Sequence, residues 1–312
     1  MHTKWQFHHL IIEGWTNNAN LWQSWQTSFA SLPVAKETAV PDLRLHLELV
    51  KEIPPPPAQE PDFRQGDLLA YYVRNNEVIA HAPRFGQLKL SLSAGTTHGW
   101  LKTAVFHTYG VLEDLLAISL SPHLRRRNLF LIHAFAAAYQ NQAILLIGGI
   151  GAGKTTTGIS LLHAGWRLLA NDSPILAPNG IIRRYPGQLA AYPETFARFP
   201  ETHHLAKTTS KRQKLVVSAE TIWPNVWQDA APVAAICFPQ IEKNRVEHVL
   251  EPVSPPQALA MLLPHTMEQW DRAMMPTHLA ALRQLVEYAP AYHLRLGPDV
   301  LAIPQLLSRL VT

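Results

Sequence analysis

A glycine-rich segment in the middle of the chain carries the clearest chemical signal. Residues 148–155 read GGIGAGKT and match the pattern G-x-x-x-x-G-K-[ST]. Glycines allow consecutive backbone N–H groups to point at an anion with no Cβ in the way. The Lys154 ammonium is expected to reach the β- and γ-phosphate oxygens, and the Thr155 hydroxyl is expected to bind Mg²⁺. The segment predicts a phosphate-binding loop for a nucleotide such as ATP, although a glycine turn without a ligand is the structural alternative.

The sequence around the loop supports this interpretation. Apolar residues 143–147 predict a strand that leads into the loop, and residues 155–165 predict a helix that ends at Gly165. A helix that begins at the loop directs its positive end toward the anion. The residues assigned to nucleotide binding are Gly148, Gly149, Gly151, Ala152, Gly153, Lys154, Thr155 and Thr156.

A carboxylate follows the loop at short range. Residues 166–170, WRLLA, predict a second strand, and Asn171 and Asp172 come directly after it. If this strand runs parallel to the strand before the loop, both end at the same edge of the sheet. Asp172 can then hold Mg²⁺ together with Thr155, or accept a proton from an attacking hydroxyl. The alternative is that the sequence NDSP only forms a turn.

These residues together resemble the catalytic domain of HPr kinase/phosphorylase and, through it, the P-loop folds of the phosphoenolpyruvate carboxykinase type. The resemblance rests on His133 in an apolar segment, the glycine loop with Lys154, Gly165, and the Asn171-Asp172 pair. It covers about residues 129–185 and extends more weakly toward the C-terminus. It implies an α/β fold with a mixed sheet, and transfer of the γ-phosphoryl group of ATP, with Mg²⁺, to a serine or threonine hydroxyl. Related lasso-peptide kinases suggest a peptide or small protein as the acceptor.

Two departures from the family pattern bear on this expectation. Asn171 stands where the family has the aspartate that is taken as the base, and asparagine cannot accept a proton at neutral pH. The downstream glycine-rich segment of the family has no counterpart either. A nucleotide-binding module without transfer and a small-molecule kinase therefore stay open as alternatives, and the donor stays open among ATP, GTP and pyrophosphate. The residues assigned to catalysis are Asp172, His133, Lys154, Asn171 and Arg183.

Two of these assignments concern supporting roles. His133 is expected to orient Asp172 or to contact a phosphate, and the alternative is a histidine buried in the core. Arg183 and Arg184 follow a predicted Asn179-Gly180 hairpin turn and should point to opposite faces of a strand. One of the two could stabilise the transferred charge, and a solvated strand face is the alternative. The basic segment 205–217 is interpreted as a loop that could close over the phosphates or receive an acidic peptide, and a solvated run of charge is the alternative.

Composition limits the class of protein. The chain has 312 residues, 47% of them hydrophobic, with a formal net charge of +4. Its single cysteine excludes an intrachain disulfide framework and indicates a buried small side chain. The sequence has no signal-peptide pattern, no apolar stretch of membrane-spanning length and no basic patch typical of nucleic-acid binding. We therefore expect a cytoplasmic protein without membrane or nucleic-acid partners, and the resemblance is compatible with self-association because HPr kinases are hexamers.

The chain is expected to form two domains. Residues 1–127 predict a smaller α+β region with β-hairpins, a helix over residues 103–124 and a proline-rich segment at residues 51–61. Residues 128–312 predict the P-loop domain. There we expect one strand over residues 129–138, another over residues 231–239, and helices over residues 254–267 and 276–289.

Overall fold

The computed structural model describes residues 1–207, 213–242 and 244–311. The chain forms two compact units. The first unit contains residues 1–128 together with residues 268–276, and the second contains residues 129–267 and 277–312. The chain therefore leaves the first unit after Asn128, returns to it for nine residues, and ends in the second unit.

The first unit is built on a mixed sheet of eight strands in the order β1-β2-β3-β8-β7-β6-β5-β4. The pairs β2-β3 and β3-β8 are parallel, and the other pairs are antiparallel. The elements are β1 (His2–Phe7), β2 (Leu10–Thr16), α1 (Ala19–Ser28), β3 (Leu43–Leu49), β4 (Phe63–Gln65), β5 (Leu69–Arg74), β6 (Glu77–Ala82), β7 (Gly86–Ser91), β8 (Thr96–Leu101) and α2 (Val111–Arg125).

Alternation along the strands separates an apolar face of this sheet from a polar one. In β3, Leu43, Leu45 and Leu47 are buried, while Arg44 and His46 lie on the other face. Helix α1 begins at Asn18, whose side-chain oxygen accepts hydrogen bonds from two backbone N–H groups of the first turn. Trp25 of this helix stacks on Trp5 of β1 with ring centroids 5.5 Å apart.

The sequence predicted part of this unit. The hairpin of β5 and β6 is confirmed, with Asn75 in the left-handed region at the turn. Residues 51–61 contain neither helix nor strand, as four consecutive prolines require. The single helix expected over residues 103–124 is wrong at its start. A 3₁₀ turn at Thr103–Phe106 is separated from α2 by Gly110, whose φ of 79° interrupts the helical path.

The second unit is α/β, with a nine-stranded mixed sheet, a two-stranded sheet and helices. The main series is β12-β10-β11-β17-β14-β13-β9, with β19 beside β17 and β18 beside β19. The elements are β9 (Phe130–Leu131), β10 (Ala134–Tyr139), β11 (Gln142–Ile147), α3 (Lys154–His163), β12 (Arg167–Ala170), β13 (Ile175–Ala177), β14 (Ile181–Arg183), β15 (Leu189–Ala191), α4 (Pro193–Phe196), β16 (Leu215–Val217), α5 (Ala219–Ile222), β17 (Ala230–Ile241), β18 (Val249–Val253), α6 (Pro255–Leu262), α7 (Met275–Tyr288), β19 (Ala291–Leu296) and α8 (Ile303–Ser308).

The core of this unit lies between α3 and the sheet. Strand β11 is buried from Ala143 to Ile147 and pairs in parallel with β17, which contains the buried Cys237. Burial raises the pKa of the Cys237 thiol to about 12, so the side chain behaves as the small apolar residue expected from the sequence. Gly158 of α3 packs directly against the ring of Phe135 in β10.

Most strands and helices predicted for this unit are present. The Asn179-Gly180 turn, the strand around residues 231–239 and both C-terminal helices are confirmed. The strand expected over residues 129–138 is wrong, because it is divided into β9 and β10. The Ile132 N–H donates to the Pro174 carbonyl and the His133 N–H donates to the His265 carbonyl, so the chain changes hydrogen-bond partners at this point.

Across the described part of the chain, every helix is too short or too polar to cross a membrane.

Candidate functional site

The glycine loop connects β11 to α3. Gly151 and Gly153 have positive φ values of 80° and 101°, and Gly153 caps the helix that begins at Lys154. A Cβ at Gly153 would lie 2.7 Å from Leu296 Cδ1, whereas Gly149 and Gly151 border open space. Residue 153 must therefore be glycine for two reasons: its φ is positive, and a Cβ would collide with Leu296.

The loop presents donors suited to an anion. Within the described part of the chain, no hydrogen bond engages the backbone N–H groups of Lys154, Thr155 or Thr156, the first three residues of α3. These donors lie at the positive end of the helix dipole, which favours negative charge. The residues present therefore fit a phosphate group.

The Lys154 side chain turns back over the loop. Its ammonium donates hydrogen bonds to the carbonyls of Gly148 and Gly149, the second at 3.2 Å. Burial lowers the pKa of Lys154, the charge of Asp172 opposes this effect, and the charge of Lys214 adds to it. Asp172 and Lys214 are thus close enough to the Lys154 ammonium to act on it electrostatically.

Strand direction brings Asp172 to the loop. Strands β11 and β12 each pair antiparallel with β10, which lies between them, so they run in the same direction. Asp172 follows the end of β12 as the glycine loop follows the end of β11, and both lie at the same edge of the sheet. The Ala134 N–H donates to the Asp172 carbonyl at 3.0 Å, which holds this part of the backbone.

His133 contacts the carboxylate. It occupies the break between β9 and β10, and its Nδ1 lies 3.2 Å from Asp172 Oδ1. Both side chains are largely accessible, with exposed fractions of 44% for His133 and 58% for Asp172. His133 is therefore a half-exposed neighbour of the carboxylate and not a core residue.

His265 is a second histidine at this site, and sequence reasoning missed it. Its carbonyl accepts the His133 N–H, and the two rings are 6.3 Å apart. Burial lowers the pKa of His265, and the charges of His133 and Lys154 lower it further. No local sequence signal marked His265, because it follows α6 in a segment predicted to be ordinary helix.

Asn171 has a structural contact. Its Nδ2 donates to the Gln188 carbonyl at 3.2 Å. An ionised aspartate has no proton to donate and could not make this bond. The environment of Asn171 therefore explains why an amide, and not a carboxylate, suits this position.

The remaining predicted residues have varied surroundings. Arg183 ends β14 opposite Ile175 and Ala230, and within the described residues no hydrogen bond or ion pair joins its side chain to the loop or to Asp172. Arg184 contacts Asp229 at 2.9 Å. The expected role of Arg183 in stabilising transferred charge therefore stays a prediction.

A cavity of about 280 Å³ adjoins the start of α3. Its lining includes Gly153, Thr156, Thr195, Arg198 and Arg245. The Thr156 and Thr195 hydroxyls are 3.3 Å apart, and Thr195 was not predicted as a site residue. The cavity offers polar and cationic groups next to the loop.

The basic segment expected to cover the phosphates is only partly described. Residues 208–212 lie outside the described residues, so the expected loop stays a prediction. Lys214 is described, and its ammonium lies over the Tyr192 ring at 5.8 Å from the centroid.

Fold and site together define a mixed α/β protein with a glycine loop and a carboxylate at one edge of its sheet. No protein-family model matches the sequence, and no curated protein matches it. Among solved structures, the HPr(Ser) kinase/phosphatase from Coxiella burnetii matches with 12% sequence identity and a TM-score of 0.32, over 58% of this chain and 87% of that chain. At this TM-score the likeness supports no inference about activity.

Proposed function

We propose that this protein is a kinase that transfers the γ-phosphoryl group of ATP, in the presence of Mg²⁺, to a serine or threonine hydroxyl of a peptide or small protein. One observation carries the proposal. Asp172 and the glycine loop follow two strands of the same direction, and the carboxylate acts electrostatically on Lys154. Phosphoryl transfer requires this combination of anion-binding donors, a cation and a metal-binding carboxylate.

Each residue has a defined role in this proposal. The N–H groups at the start of α3 and the Lys154 ammonium bind the phosphates. Thr155 and Asp172 bind Mg²⁺, which neutralises charge on the phosphates when it is bound. His133, 3.2 Å from Asp172, orients the carboxylate.

Lys154 exchanges partners when a phosphate binds. Its ammonium is held by two loop carbonyls, and a phosphate oxygen is the stronger acceptor because it is charged. The cavity beside Thr156 is positioned to receive another part of the donor.

The absence of an aspartate at residue 171 is compatible with transfer. Catalysis of phosphoryl transfer depends mainly on positioning and charge neutralisation, and a strong base contributes less. Asp172 remains available to accept the proton of the acceptor hydroxyl.

A nucleotide-binding module without transfer is the second candidate. It is favoured by the hydrogen bond of Asn171 to Gln188, which leaves Asp172 as the carboxylate of this pair. Such a protein would bind ATP through the same loop but would show no acceptor-dependent turnover.

The test is transfer of label from γ-labelled ATP, with Mg²⁺, to a mixture of serine- and threonine-containing peptides. We expect labelled peptide with the wild-type protein, and at least about a 100-fold lower rate with Lys154→Ala or Asp172→Asn. Asp229→Asn is the matched control, because Asp229 is an exposed carboxylate paired with Arg184. It should leave the rate unchanged.

Other outcomes separate the alternatives. Tight ATP binding without peptide labelling or hydrolysis would establish the nucleotide-binding module. In a parallel assay with the small-molecule fraction of a cell extract in place of the peptides, label that appears only there would indicate a small-molecule kinase.

A further inference from the structure

The polar face of the first unit's sheet carries a row of aromatic side chains. Strand register places Trp15 of β2, His46 of β3 and His98 of β8 side by side. Glu48 lies two residues beyond His46 and therefore faces the same side of the sheet. The opposite face of β3 is buried in the core through Leu45 and Leu47.

Three potential metal ligands converge in this row. His46 Nε2 lies 3.1 Å from Glu48 Oε1, and His98 Nε2 lies 3.7 Å from the same oxygen. The two imidazole rings stack with centroids 4.5 Å apart and planes inclined by 8°. One ligand atom from each of the three side chains lies within 4.8 Å of the other two.

Both imidazole nitrogens have an unusual environment. The Nε2 atoms of His46 and His98 are buried, and in the described part of the chain they lack a hydrogen-bond partner, although His46 Nε2 lies 3.1 Å from Glu48 Oε1. Buried polar atoms in proteins almost always have a partner. A cation between these atoms and Glu48 would satisfy both nitrogens and the carboxylate at once.

Aromatic side chains flank the two rings. The Trp15 ring lies 3.9 Å from His46, and the Trp100 ring stacks on His98 at 4.3 Å. The two imidazole side chains are 42% and 40% exposed, so the rings have room to rotate from their stacked, parallel arrangement until both Nε2 lone pairs point at one ion.

We propose that His46, Glu48 and His98 form a binding site for a divalent transition metal, with Zn²⁺ as the preferred ion. Two imidazole nitrogens and a carboxylate oxygen are a common zinc ligand set, whereas Mg²⁺ and Ca²⁺ require more oxygen ligands. Three protein ligands leave one position of a tetrahedral site open. A cavity of about 530 Å³ adjoins both histidines, so water or a small anion can occupy that position.

The chemical class of the fourth ligand follows from the same cavity. Arg44 and Lys89 line it together with Trp15. Each of these cations pairs with a glutamate, Arg44 with Glu13 at 3.3 Å and Lys89 with Glu77 at 3.2 Å, so we expect a neutral water molecule in the open position. This site lies within the first unit and is independent of the glycine loop.

The test is Co²⁺ and Zn²⁺ binding by the full-length protein after removal of metal with a chelator. Co²⁺ replaces Zn²⁺ in such sites, and its visible absorption spectrum reports the coordination geometry of the bound metal. We expect one tightly bound equivalent, and affinity more than about tenfold weaker in Glu48→Gln and in His98→Gln. His163→Gln is the matched control, because His163 also contacts a glutamate, Glu201 at 2.8 Å, and lies in the second unit.

A measurement on the wild-type protein avoids dependence on the folding of variants. X-ray absorption of the Zn²⁺-loaded protein should show two imidazoles and two further oxygen or nitrogen ligands at about 2.0–2.2 Å. Equal binding by wild type, Glu48→Gln and His98→Gln, or a coordination shell made only of oxygen, would overturn the proposal. In that case the cluster is an ion pair between protonated histidine and Glu48.

Discussion

Two adjacent residues, Asn171 and Asp172, follow the same strand and have different environments. Asn171 is partly buried and donates to the Gln188 carbonyl, while Asp172 is exposed beside His133 and acts on Lys154. The residue at 171 is therefore selected by a hydrogen bond within the fold. The residue at 172 has the accessibility that a ligand to a metal or a proton acceptor requires.

Asn171→Asp tests this interpretation. The substitution removes the donor to Gln188 and places a carboxylate against a carbonyl, so we expect a loss of about 1–3 kcal/mol in the free energy of unfolding. Phosphoryl transfer should not increase. Urea denaturation and the labelled-ATP assay measure the two effects, with the exposed Asn244→Asp as control. A faster transfer at unchanged stability would show instead that residue 171 is a lost catalytic base.

Buried His123 makes the stability of the first unit depend on pH. It is fully buried in α2, and its Nε2 lies 3.0 Å from the Thr97 hydroxyl, which itself donates to the Ser119 carbonyl. Burial, with a further effect from the charge of Arg127, lowers the pKa of His123 from 6.5 to about 4. The folded state therefore resists protonation at a pH where the unfolded chain accepts a proton.

The resulting prediction concerns mildly acidic solution. The difference between pKa 6.5 and about 4 corresponds to roughly 3 kcal/mol of the free energy of unfolding. This contribution should be present above pH 6.5 and should be lost as pH falls from 6.5 toward 4. Urea denaturation between pH 7.5 and pH 4, read by tryptophan fluorescence, measures the slope. His123→Gln should flatten it. A slope that persists in this variant would assign the effect to other groups.

At the scale of elements, the distance between α3 and the sheet is set by one glycine. A Cβ at Gly158 would lie 2.4 Å from Phe135 Cζ, so any larger residue must displace the helix or the ring. Because the same helix begins with the free N–H groups next to the loop, this packing also positions the donors proposed to bind phosphate.

Gly158→Ala is expected to destabilise the second unit by about 1–3 kcal/mol through overpacking, and to weaken the ATP binding proposed for the glycine loop through displacement of α3. Phe135→Leu shortens the opposing side chain and leaves space for a Cβ at residue 158. The double variant should therefore lose less free energy of unfolding than Phe135→Leu alone. Urea denaturation of the four proteins gives the coupling energy. An additive pair would mean that the helix and ring do not contact in solution.

At the scale of the whole molecule, an ion-pair cluster binds a distant part of the chain into the first unit. Asp271 is buried and accepts hydrogen bonds from Arg125 at 2.8 Å and from Arg126 at 2.7 and 2.9 Å. Burial alone would raise the pKa of Asp271, but hydrogen bonds from Arg126 and Arg125 bring it below its ordinary value. Two members of the basic tract at residues 125–127 therefore have a structural role.

Asp271→Asn is expected to cost about 3–5 kcal/mol in the free energy of unfolding, because it leaves Arg125 buried without its carboxylate. The wild-type contribution is present above pH 3.8 and is lost as pH falls below that value, since the folded pKa is depressed. Hydrogen exchange of the first unit measures the loss. Asp229→Asn, which removes an exposed ion pair, should change stability by less than about 1 kcal/mol.

The sequence by itself predicted the parts of the site that depend on local patterns. The glycine loop, the helix that follows it, the Gly165 end of that helix and the strand before Asp172 are all present. The direction of that strand is a condition at the level of sequence, and the sheet pairing supplies it. Backbone conformation over about ten residues is governed by glycine, proline and apolar periodicity, so these elements could be read from composition and spacing.

Only the tertiary structure decided which distant residues meet. His265 and Thr195 lie at the site but belong to segments that contain no motif. The Asn171 amide donates to the carbonyl of Gln188, which lies 17 residues further along the chain. The three strands within residues 2–49, the break at His133 and the return of residues 268–276 to the first unit also depend on long-range partners. Hydrogen bonding and packing between such segments are set by the whole fold, and no local pattern in the chain encodes them.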